Sequence, residues 1–136
     1  MAAAAFIVNV GKAITAGRHV GGTPSQAEPK FIGWGVGTTT AVVGNTGLES
    51  QTGITEARTT GTITAVAGAQ AGSKVQVTGT LTALAALTIA EVALFDTVGS
   101  GTPPTGGVCW IHASHGSTVL AIGESIAYTI TADFTP

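Results

Sequence analysis

Residues 58–66 read RTTGTITAV and residues 74–82 read KVQVTGTLT, two runs whose side chains alternate with the period of two that a half-buried strand requires. In the first, Thr60, Thr62 and Thr64 fall on one side and Thr59, Gly61, Ile63 and Ala65 on the other. In the second, Val75, Val77, Leu81 and Ala83 oppose Lys74, Gln76, Thr78, Thr80 and Thr82. The intervening GAQAGS is turn chemistry, so the pair predicts one long hairpin with threonine turned to solvent.

Further along, TIAEVALFD at 88–96 is apolar on both faces except for Glu91, which predicts a central or interface strand. Residues 99–107 hold four glycines and Pro103-Pro104, a loop because consecutive prolines remove backbone donors. Residues 108–113 and 118–122 read as short strands around a Ser114-His115-Gly116-Ser117 turn. The last strand sets Ile126, Tyr128, Ile130, Ala132 and Phe134 against Ser125, Ala127, Thr129, Thr131 and Asp133. Upstream, KFIGWG at 30–35 is a strand followed by a Gly/Thr-rich connection through Gly53, and residues 1–28 form an arm or a first edge strand. Seven or eight strands without a convincing amphipathic helix predict an all-β, single-domain antiparallel β-sandwich over residues 29–136, with a jelly roll as its refinement and an extended N-terminal arm.

Composition narrows the function. Of 136 residues, 44% are hydrophobic, 9% charged and 5% aromatic, with 20 glycines and 23 threonines. The formal net charge of -2 offers no footprint for nucleic acid or an anionic membrane. The apolar stretch 75–90 carries four threonines and a glycine and is too short and polar to span a bilayer. The N-terminal MAAAAF lacks the basic region of an export signal. With a mean hydropathy of +0.45, so few charges protect a small domain poorly against association, and partners are expected to cover part of its surface.

Cys109, His112 and His115 form C-x-x-H-x-x-H, residue types suited to zinc. Residues three apart on a strand point to opposite faces, so the expectation is a buried cysteine with surface or loop histidines and no metal. A histidine from each of several subunits meeting a metal on a symmetry axis stays open. Cys109 or Ser114 with His112 or His115 and Asp96 has the residue types of a nucleophile and its base without a nucleophile elbow, so no catalytic residue and no cofactor are expected. Glu49, Glu56, Glu91, Asp96, Glu124 and Asp133 are scattered singly and read as solvated or salt-bridged. Gly33-Trp34-Gly35-Val36-Gly37 has the glycines of a phosphate loop but no helix after it. Glu91, alone in an apolar strand, needs a partner, and Arg58 is the expected one.

PKFIGWGVGTT at 29–39, EARTTGTITAV at 56–66, KVQVTGTLTAL at 74–84, TIAEVALFD at 88–96 and GESIAYTITADF at 123–134 together resemble a family of small virion proteins of tailed bacteriophages, over residues 29–134. Val92-Ala93, where the family pattern has a small residue and glycine, and the long loop at Pro103-Pro104 depart from it. The resemblance implies a capsid-associated or tail-associated β-sandwich. The expected function is a decoration or cement protein on the virion's capsid surface, made in the host cytoplasm, with the major capsid protein and further copies of itself, as a dimer or trimer, for partners. The expected contact elements are the arm 2–22 and the loops 38–53 and 99–107. Two alternatives are a tail, neck or fibre component and a carbohydrate-binding module, for which only Trp34, Trp110 and Tyr128 are available as sugar platforms.

Overall fold

The computed structural model describes residues 4–19, 26–67 and 74–134. The chain is all-β, as its alternation predicts. In order come β1 (Ala4–Ile7), a single 3-10 turn (Asn9–Gly11), α1 (Lys12–His19), β2 (Phe31–Gly35), β3 (Thr59–Thr60), β4 (Thr62–Val66), β5 (Lys74–Thr82), β6 (Leu87–Phe95), β7 (Cys109–Leu120) and β8 (Ser125–Asp133). They form two antiparallel sheets, one of five strands ordered β1-β7-β6-β2-β3 and one of three ordered β4-β5-β8. Both sheets contribute to one hydrophobic core, in which Ile32, Trp34, Ile89 and Leu94 meet Val77, Leu81, Tyr128 and Ile130. The partition into five and three leaves the jelly-roll refinement without support.

The hairpin is present, with Thr62 through Val66 paired to Thr78 through Lys74 and Thr60, Thr62 and Thr64 exposed. The run expected as one strand is cut at Gly61, so β3 joins β2 in the larger sheet while β4 joins β5 in the smaller. A Cβ at Gly61 would lie 2.7 Å from Val77 Cγ1 and 3.0 Å from Lys30 O, too close for any other residue where the chain passes between sheets. β6 is central as expected, with every residue from Ile89 to Phe95 buried.

Two expectations are corrected. Ser114–Ser117 is not a turn between strands, because β7 runs without a break from Cys109 to Leu120. The polar residues are absorbed as an irregularity between the pairs Ile89↔Thr118 and Glu91↔Ser114, a local distortion that a strand tolerates. The N-terminal segment takes the edge-strand form, β1 on β7, and then turns into the helix α1 instead of running on as an extended arm. With a single buried side chain, Ile14, in eight residues, α1 is too short to show a helical period. No helix among the described residues is long and apolar enough to cross a membrane.

Candidate functional site

The outward face of the five-stranded sheet, turned from the shared core, is covered by the two long loops that follow β2 and β6. Alternation sends Glu91, Ala93 and Phe95 of β6 to this face. On β7 a one-residue bulge, where Leu94 pairs with Ile111 but Phe95 pairs with Cys109, changes the phase. Trp110 and Ile111 therefore both enter the shared core. Cys109 and His112, three apart, share the outward face, contrary to the simple strand rule.

Glu91 and His112 are each 1% exposed. His112 Nε2 donates to Glu91 Oε2 at 2.6 Å. Glu91 Oε1 accepts the amides of Gly37 at 3.1 Å and Ser50 at 2.9 Å, and Oε2 that of Glu49 at 2.9 Å. His112 Nδ1 lies 2.9 Å from Asn45 Oδ1, which also accepts the Val42 amide at 2.7 Å. The Val42 N–H fixes the oxygen of Asn45 in that place, so the His112 ring is held between two acceptors, the Glu91 carboxylate and the Asn45 amide oxygen. Burial by itself would raise the Glu91 carboxyl. The His112 hydrogen bond and the Ser50 and Glu49 amides outweigh burial and hold it below its usual value.

Arg58 does not pair with Glu91, which corrects the expected ion pair. Buried on the same face, it donates Nη1 to Thr97 O at 3.0 Å and Gly106 O at 2.9 Å, and its guanidinium carbon lies 3.5 Å from the Phe95 ring centroid. Burial lowers its basicity, opposed by the nearby Cys109 and Asp96. The two buried ions divide the backbone between them. The carboxylate gathers N–H groups from the loop after β2, and the guanidinium gathers C=O groups from the loop after β6. Gln51 Nε2, donating to Pro104 O at 3.2 Å, ties one loop to the other.

Of the remaining carboxylates, Glu49, Glu124 and Asp133 are exposed, as expected, while Glu56 is buried, and most also accept a backbone amide. Glu49 accepts the Thr39 amide, Glu56 those of Thr55 and Leu84, Asp96 that of Val108 and Glu124 that of Ala121. Asp133 is salt-bridged, 3.1 Å from Lys74. Gly33, Gly35 and Gly37 keep the outward face clear for these loops instead of cradling phosphate. A Cβ on Gly35 would overlap the Glu91 carboxylate and sit 2.6 Å from Ser50 O.

Cys109 is free and buried, with burial pushing its thiol up to about 12, the environment of an inert cysteine. His115 is apart from it, with Nδ1 2.9 Å from Gly116 O and Nε2 3.0 Å from the Tyr128 hydroxyl. Burial pushes the Tyr128 phenol up. Ser114 Oγ accepts the Ala41 amide at 3.0 Å. The residue types of a nucleophile, base and acid thus each take another hydrogen-bond partner. Among the described residues no group of three or more His, Cys, Asp and Glu side chains could hold a metal ion. An apolar groove of about 510 Å³ between α1 and the smaller sheet is lined by Ile14, Ile63, Val75 and Trp110, with the Trp110 indole donating to Thr15 Oγ1 at 3.0 Å.

Asn45 and the loop amides gave no sign in the sequence. The Glu91–His112 pair did leave one, since each is a polar residue out of character in an apolar strand. No family model matches the chain, and neither does any curated protein or solved structure.

Proposed function

We propose that the protein is a structural virion protein of a tailed bacteriophage, a capsid cement or decoration protein that binds the outside of the major capsid shell, bridges its subunits and acts without catalysis. The observation that carries this reading is the use of buried charge. Glu91 and Arg58 hold two long loops in fixed shapes, and the loops present exposed Val42, Val43 and Val98. A loop ordered before binding loses little entropy on contact, which suits a protein whose work is adhesion. At one end of the molecule, Leu84, Val119 and Ile122 are 60%, 77% and 74% exposed. Their turns are joined by hydrogen bonds between Ala83 and both Gly123 and Glu124. A domain with 9% charge and such an apolar end favours a covered working state.

Bridging subunits strengthens a shell because rupture must also break every bridging contact. The carbohydrate-binding alternative loses its platforms, since Trp34, Trp110 and Tyr128 are all buried. The test is the copy number of this protein relative to the major capsid protein in purified particles, by quantitative mass spectrometry. A ratio near one or a simple fraction of one is expected. A few per cent would move the protein to the tail or neck, and absence from particles would overturn the virion reading.

A further inference from the structure

Among the described residues, the smaller sheet ends in a strand that lacks the usual protection of an edge. β8 is the terminal strand of the order β4-β5-β8, and its register against β5 runs through nine successive pairs, from Thr82↔Ser125 to Lys74↔Asp133, with no shift. Terminal strands are normally protected by brevity, proline, bulges or central charges. The other edges show such protection: β1 has four residues and β3 two, and β4 has five and follows the break at Gly61. β8 has nine residues, SIAYTITAD, without proline or glycine. Its single charged residue, Asp133, is at one end and paired with Lys74.

We infer that β8 is the self-association edge of the protein, pairing antiparallel with β8 of a second copy across a two-fold axis at Thr129. The inference rests on the reading of the protein as a self-associating shell component. An axis at Thr129 overlaps all nine residues and sets Ser125 against Asp133 of the second copy, Ala127 against Thr131 and Thr129 against its own equivalent. The two Asp133 carboxylates then lie at opposite ends of the ribbon, each facing a serine, so no like charges meet. On the core side Tyr128 comes beside Ile130 of the second copy and Ile126 beside Ala132. Threonine–threonine and aromatic–β-branched neighbours are favourable cross-strand pairs. The product is a continuous six-stranded sheet, β4-β5-β8-β8-β5-β4, with an isologous interface.

The test uses the full chain and multi-angle light scattering after gel filtration. The wild type is expected at twice its 13.3 kDa chain mass. Thr129→Lys, which sets like charges opposite on the axis, is expected to halve that mass without changing the circular dichroism spectrum. Thr129→Cys under mild oxidation is expected to give a covalent dimer, whereas Thr64→Cys on the exposed face of β4 is not, and the buried Cys109 does not contribute. A monomeric wild type, a Thr129→Lys variant that keeps the dimer mass, or equal cross-linking through Thr64→Cys would overturn the inference. If Thr129→Lys does not fold, the two cysteine variants decide. Particle copy number is read separately, so a failed edge pairing and a failed virion assignment give different results.

Discussion

A carboxylate placed in the middle of an apolar strand must find partners or be expelled, and Glu91 finds four, three loop amides and the His112 ring. Leaving buried hydrogen-bonding groups without their charged partner costs about 1–3 kcal/mol or more. Glu91→Gln should therefore lower unfolding stability in urea by an amount of that order. Combined with His112→Gln it should be strongly non-additive. Combined with Arg58→Gln it should add to within about 0.5 kcal/mol, because the two ions share no hydrogen-bond partner. Acid should act through the same residue. Its folded value lies below the usual 4.5, so the unfolded chain takes up the proton first as pH drops. The contribution of Glu91 is fully present above about pH 4.5 and is lost as pH falls from there through the folded value. Unfolding midpoints measured across that window should fall steeply for the wild type and less so for Glu91→Gln.

At the scale of elements, β2 and β7 show how a strand can carry a polar layer on its outer face. Along β2 the inward residues Ile32 and Trp34 are large and the outward residues Gly33 and Gly35 have no side chain, so the Arg58 and Leu48 side chains fill the space above Gly33, and the Glu91 carboxylate with the Ser50 carbonyl that above Gly35. Gly35→Ala should cost about 1–3 kcal/mol, the usual penalty for overpacking. Gly44→Ala, where nothing lies within 4 Å of the added methyl, should be neutral or slightly stabilising in the same thermal melts. The pattern of large and absent side chains was visible in Gly33-Trp34-Gly35-Val36-Gly37, but its meaning was not. A glycine reports that something approaches, and only the fold says what. The β7 bulge was illegible for a similar reason, because an extra residue is defined by the strand it faces and not by its own sequence.

For the whole molecule, the N-terminal segment is a working part of the domain. β1 covers the edge of β7, and the chain crosses β7 so closely at Gly11 that a Cβ there would lie 2.6 Å from Cys109 O. Val8 and Ile14 are buried in the two apolar clusters. As a detachable arm, residues 2–22 could be deleted without unfolding the rest. The structure predicts instead that this deletion removes about 3–6 kcal/mol, the burial of those two side chains alone, and lowers the melting temperature accordingly.

Period-two alternation by itself determined the all-β class, the β4–β5 hairpin, the central place of β6 and the need of Glu91 for a partner, because alternation and burial cost are properties of a short stretch of chain. Only the tertiary structure decided which partner Glu91 takes, that Cys109 and His112 share a face, and that α1 belongs to the fold. Each of these depends on segments far apart in sequence. A backbone amide, available in every loop, leaves no mark in a sequence by which to foresee that it will meet a buried charge.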